Sequence, residues 1–120
     1  MRATCTGEPV RVSVCHCLEC QKRSGSAFAV QARWPDAQVV LAGAFHSWSQ
    51  QGDSGAMAHF RFCPTCGATL VYASDGMPGL TAVAVGGFAD PDFPAPRYSV
   101  WEDRRHRWVT VAADGMDHFA

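Results

Sequence analysis

Apolar and polar positions alternate in short runs along this chain, and Gly, Pro and Asp break the runs at short intervals. Such alternation marks half-buried strands. Val10 to Val14 is the first. Ala27 to Trp34 sets Phe28, Val30 and Ala32 against Ala29, Gln31 and Arg33, and Pro35-Asp36 ends it. Val39 to Leu41 and Phe45 to Trp48 flank Gly43 and predict a hairpin. The polar stretch from Gln50 to Gly55 predicts a loop. Ala58, Phe60 and Phe62 then share one face, on a strand that carries Cys63 to its end. Thr69 to Tyr72, Leu80 to Val85, Arg97 to Trp101 and Trp108 to Val111 complete the predicted strands, with Asp90 to Pro94 as a rigid turn. Helical spacing occurs only from about Leu18 to Arg23, stopped by Ser24-Gly25. The fold expected is mainly β with one short helix, forming one domain over residues 1–120.

Composition narrows the function classes. Of the 120 residues 48% are hydrophobic and 18% charged, which excludes a disordered chain. The net charge of -1 and a pI of about 6.5 leave no broad basic footprint for nucleic acid. Arg104, Arg105, His106 and Arg107 cluster beside Glu102 and Asp103, and a solvated turn is expected there. No stretch of 18 apolar residues exists to span a membrane. Met1 to Cys5 lacks the apolar centre of a signal peptide, so a reducing, cytoplasmic setting is expected. There, six cysteines point to metal rather than disulfides.

The cysteines form two constellations. In Cys15-His16-Cys17-Leu18-Glu19-Cys20, an extended backbone puts Cys15 and Cys17 on one face. A following turn can fold Cys20 back, so that three thiolates meet one tetrahedral zinc. The fourth position is either open, as in catalytic sites, or closed by His16 or Cys5. A Cys17/Cys20 redox pair leaves the third cysteine unexplained. Cys63-Pro64-Thr65-Cys66-Gly67 is a zinc knuckle, a tight turn whose backbone N–H groups can face thiolates. It supplies only two ligands, and the 42 residues between Cys20 and Cys63 exceed the spacing of a simple zinc ribbon.

Together with Arg23-Ser24-Gly25-Ser26-Ala27-Phe28, Val83-Ala84-Val85-Gly86 and Asp90-Pro91, these motifs resemble the glutathione-dependent formaldehyde-activating enzyme family, which includes the centromere protein V relatives. The resemblance covers nearly the whole chain. It implies a tent-like arrangement of short antiparallel sheets. It also implies a catalytic zinc at Cys15, Cys17 and Cys20, where the thiol of glutathione approaches, and a structural zinc at Cys63 and Cys66. The namesake reaction joins glutathione to formaldehyde, giving S-hydroxymethylglutathione. The family's structural site takes two further ligands from a Cys-x-Cys-Gly element about twenty residues before the triplet. Only fourteen residues precede Cys15, so that element is expected to be absent. Cys5 lies in what looks like the strand after it and is not expected to be a ligand.

Ser24 and Gly25 are candidates to touch glutathione, or else simply end the helix. His16 is expected in a supporting or exposed position, and His59 on a solvent face. Arg33 and Arg61 could hold a glutathione carboxylate by paired hydrogen bonds, with exposed strand arginines as the favoured reading. Phe28, Trp34, Trp48, Phe60, Phe62, Trp101 and Trp108 are expected in the core. The function expected is a zinc-dependent carbon–sulfur lyase-type reaction on a small thiol and aldehyde. A zinc-dependent glutathione carrier and a structural zinc module for a protein partner are the alternatives. Nothing in the sequence sets an oligomeric state.

Overall fold

The computed structural model describes residues 1–120. Ten strands and one helix follow in order: β1 (Arg2–Cys5), β2 (Arg11–Cys15), α1 (Leu18–Ser24), β3 (Ala29–Pro35), β4 (Val39–Ala42), β5 (His46–Gln51), β6 (Met57–Phe62), β7 (Thr69–Ser74), β8 (Leu80–Ala84), β9 (Tyr98–Val100) and β10 (Asp117–His118). Short 3-10 turns occupy Asp36–Gln38, Val85–Phe88 and Glu102–Arg104. The mainly β class with one helix is borne out. No helix is long and apolar enough to cross a membrane.

Eight strands form one sheet in the order β10-β9-β2-β3-β8-β7-β6-β5, and β1 and β4 make a separate two-stranded ribbon. The large sheet is mixed, because β9 runs parallel to both β2 and β10. Register decides which residues share a face, since directly opposed residues project to the same side. Val12 faces Ala32, Ala32 faces Val83, and Val83 faces Val71. With Trp34 these make the buried core cluster. Ala3, Cys5, Val39 and Leu41 of the ribbon pack against it, so the core lies between sheet and ribbon. Each large side chain buried there contributes about 1.5–3 kcal/mol. The indole N–H of Trp34 donates to the Gly7 carbonyl at 2.9 Å, so its polar atom is satisfied.

The opposite face of the same strands is polar. Arg11 is paired with Arg33, Ser13 with Gln31, and Cys15 with Ala29. Tyr72 reaches this face beside Ala82, which is itself paired with Arg33.

Several expectations are corrected. Val39–Leu41 and Phe45–Trp48 are not a hairpin. β4 pairs with β1, and β5 pairs with β6. Gly43 has φ 83°, and a Cβ there would lie 3.1 Å from the Met1 nitrogen, so the segment turns against the N-terminus. Gln50 and Gln51 extend β5, and only the tip beyond them turns. The segment Ala27–Trp34 yields β3, but both its faces are covered, and Gln31 and Arg33 are buried with Ala32. Trp108–Val111 forms no strand: the Val109 N–H bonds the His106 carbonyl at 3.0 Å in a local turn. Trp108 and Trp48 are exposed at 75% and 59%, so neither belongs to the core, while Trp34 and Phe60 do.

Candidate metal centre

The triplet forms where β2 ends and α1 begins. Cys15 is the last residue of β2, and Cys17 caps α1 with an extended backbone, φ -61° and ψ 152°. Its Sγ accepts the Cys20 N–H at 3.3 Å, so one cysteine positions another through the first helical turn. The three Sγ atoms lie within 4.8 Å of one another. No fourth His, Cys, Asp or Glu atom joins them.

Polar contacts hold the helix in place. The Gln21 amide donates to the carbonyls of His16 at 2.8 Å and Arg104 at 3.0 Å. Its oxygen pairs with His106 at 2.8 Å. Gly25 ends α1 in the left-handed region at φ 65°, its N–H returning to the Gln21 carbonyl. His16 is fully buried and pairs with Ser99 at 3.1 Å, so it is neither exposed nor a member of the cluster. Burial lowers its pKa, which favours a neutral ring.

The electrostatics of the triplet are those of a shared charge. Hydrogen bonds from the Cys15 and Cys17 thiols hold the Cys20 thiolate far below the usual thiol range, and Arg23 adds to this with Nη2 at 3.8 Å. Cys15 is pushed strongly up because its proton is held by Cys17 and Cys20 and because it is buried. Cys17 is lowered by its bond with Cys15, yet rises on balance through its bond to Cys20 and burial. Unaided, the cluster thus favours one thiolate shared by two thiols. A soft divalent cation would allow all three to ionise, and three converging sulfurs match the donor set that zinc takes. The residues present therefore fit the metal that the spacing implied.

Cys15 also lines a cavity of about 320 Å³ with Arg11, Arg33, Gln31 and Tyr72. Arg33 is 8% exposed and donates to Ser13 Oγ and Tyr72 Oη, each at 3.2 Å. This corrects the exposed position favoured for it. Arg61, by contrast, is exposed and stacks on Phe45 at 5.1 Å. Burial pushes the Tyr72 phenol up to about 12. Sequence alone placed Tyr72 only as a strand end. The signal available was its place in the strand after the knuckle, where it is directly opposed to Phe60 and shares its face, with the ring centroids 5.2 Å apart.

The other expected residues sort as follows. Ser24 borders a second cavity of about 550 Å³, which Arg23 and Cys66 also line. Its hydroxyl bonds the carbonyls of Gln21 and Phe28, so it serves the helix end as well. Cys63 and Cys66 shape the turn between β6 and β7, where the Gly67 N–H returns to the Cys63 carbonyl at 2.8 Å. The N–H groups of Cys66 and Thr65 lower the Cys63 thiol to about 7, as the knuckle reading expected of such a turn. Neither cysteine meets a third donor. Cys5 packs against the core cluster, and all six cysteines are free thiols. His59 is half-exposed between Ser49 and Asp75.

Residues 1–104 match the family described as glutathione-dependent formaldehyde-activating enzyme. No curated protein matches the chain.

Proposed function

The chain belongs to the glutathione-dependent formaldehyde-activating enzyme family, and from that premise we propose a zinc-dependent carbon–sulfur lyase-type enzyme that joins glutathione to formaldehyde or a related small aldehyde. The observation that carries this is the meeting of three Sγ atoms within 4.8 Å, with no fourth side-chain donor, beside a polar cavity. A zinc ion at this place would stabilise a substrate thiolate at neutral pH and polarise a carbonyl.

The chain's own residues supply the rest. Cys15, Cys17 and Cys20 would hold the cation, and Arg23, with Nη2 3.8 Å from the Cys20 Sγ, offsets negative charge there. Tyr72, kept protonated by its raised pKa, is the proton donor that the sequence did not name. As the new S–C bond forms, the carbonyl π pair moves to oxygen, which takes the Tyr72 proton. The thiol's own proton goes to solvent, and solvent returns one to Tyr72. Ser24, which borders the second cavity beside Arg23, and its neighbour Gly25 at the end of α1 are where part of the thiol substrate would touch the helix. Cys63 and Cys66 offer two ligands to a second ion, held weakly without further donors. The whole forms one zinc domain over residues 1–120, suited to the reducing cytoplasm.

Two measurements test this reading. One zinc per chain, lost in Cys15→Ser, is expected by metal analysis; zinc retained in that variant would remove the triplet from the site. Adduct formation from glutathione and formaldehyde is expected to exceed the spontaneous rate. Glutathione binding with no acceleration would instead leave a thiol carrier, and no glutathione binding would leave a structural module.

A further inference from the structure

The polar face of the sheet holds two guanidinium groups with no counter-ion. Arg11 and Arg33 are directly opposed across β2 and β3, a like-charge pair that costs stability. Neither makes an ion pair with a carboxylate, although Lys22, Arg104, His59 and His118 do. Arg33 is more than nine-tenths buried, and its hydrogen bonds go only to neutral hydroxyls. Arg11 stacks on the Tyr98 ring at 4.3 Å, and its buried Nε has no partner. The cavity between them has no Asp or Glu in its wall. Buried charges are ordinarily paired, and an unpaired one is expensive. Arg33 is one such charge, and the half-buried Arg11, with its buried Nε unpartnered, opposes it on the wall of the same cavity, which describes a place where an anion completes the structure.

We propose that Arg11 and Arg33 form a carboxylate-binding subsite in the cavity that ends at Cys15, selecting a thiol substrate that carries a carboxylate. The class of anion follows from geometry. A guanidinium fork matches the two oxygens of a carboxylate. Cys15 and Arg11 are the two ends of one five-residue strand, about 13 Å apart at strand rise. The guanidinium arm covers part of that span, and an extended tripeptide of about 10 Å covers the remainder. A peptide thiol therefore reaches both ends, whereas a bare alkyl thiol reaches only Cys15. The subsite rests on the reading of the triplet as the thiol-binding place.

Calorimetry on the zinc-loaded protein, with Arg11→Gln and Arg33→Gln, separates the two claims. Three probes are used: glutathione, S-methylglutathione with its thiol blocked, and 2-mercaptoethanol with no carboxylate. Loss of a charge-assisted hydrogen bond is expected to weaken both glutathione probes about 10- to 100-fold in each variant. Binding of 2-mercaptoethanol is expected to stay within twofold of wild type. Arg33→Gln also loses bonds to Ser13 and Tyr72 and risks the fold, so Arg11→Gln carries the decision. Its Tm is expected at or above wild type, because a like-charge opposition is relieved. Unchanged affinity of both glutathione probes in Arg11→Gln would overturn the subsite. Equal affinity of wild type for glutathione and S-methylglutathione, with the loss in Arg11→Gln intact, would support the subsite and overturn the triplet as the thiol's place.

Discussion

At the scale of single residues, Tyr72 shows how one position can serve both stability and chemistry. Its phenol accepts from Arg33, and the Arg23 guanidinium lies 5.1 Å from its ring. These cations favour the phenolate, yet burial outweighs them and raises the pKa to about 12. A folded pKa above the unfolded value near 10 means that the native state holds its proton longer. The stability tied to this proton is thus complete below pH 10 and is lost as pH rises towards 12. Tyr72→Phe is expected to remove that alkaline loss, about 2 kcal/mol in denaturant titrations at the two ends of the window. In the proposed reaction the same change is expected to lower kcat about 100-fold, within the usual range for a proton donor. Glutathione affinity should stay within twofold. An unaltered kcat would release Tyr72 from the role of donor. His16 shows the reverse lesson. Its place between two cysteines says nothing of its surroundings, and full burial against Ser99 makes it a packing residue.

At the scale of elements, α1 is a short helix that depends on its ends. Seven residues make too few internal hydrogen bonds to stand alone. Cys17 caps the start, Gly25 caps the end, and Gln21 ties the middle to neighbouring turns. A Cβ on Gly25 would meet nothing within 4 Å, so only the left-handed backbone, φ 65°, resists a substitution. Gly25→Ala is expected to cost about 1 kcal/mol in urea unfolding. Zinc stoichiometry should not change, because Cys20 lies in the first turn and the cap acts on the last. A loss of zinc from Gly25→Ala would show that the helix end governs the metal centre. Strand partners were less legible than this helix. Gly43 between two apolar runs carries the local signal of a hairpin, but each run found a better partner elsewhere. β4 joins β1 to cover the core, and β5 closes the edge of the large sheet. Trp108–Val111 failed as a strand because an apolar run gives no information on whether a free edge lies beside it.

At the scale of the whole molecule, the large sheet separates stability from chemistry by its two faces. One face carries Val12, Ala32, Trp34, Val71 and Val83 under the β1–β4 ribbon. The other carries Arg11, Arg33, Tyr72 and the approach to Cys15. Substitutions on the two faces should therefore report differently. Trp34→Ala is expected to cost about 3–5 kcal/mol by cavity formation, a large share of the roughly 5–15 kcal/mol that holds a domain folded. Under conditions where it remains folded, its affinities for zinc and glutathione should match wild type. A variant that is folded by circular dichroism yet binds neither would show that the faces are coupled through the strands.

The triplet was legible in the sequence because its geometry is local. Cys15, Cys17 and Cys20 lie within six residues, and a strand end followed by one helical turn is enough to bring their sulfurs together. The mainly β class was legible for a similar reason, since alternation and turn residues act over a few positions. Only the tertiary structure decided that Arg33 is buried, that it opposes Arg11 without a counter-ion, and that Tyr72 shares their cavity with Cys15. Those facts come from register between strands far apart in the chain, and a pattern of period two does not say which strand lies next to which. The sequence by itself thus determined the sulfur cluster, and the pairing of β2 with β3, of β3 with β8 and of β8 with β7 determined the polar wall that faces it.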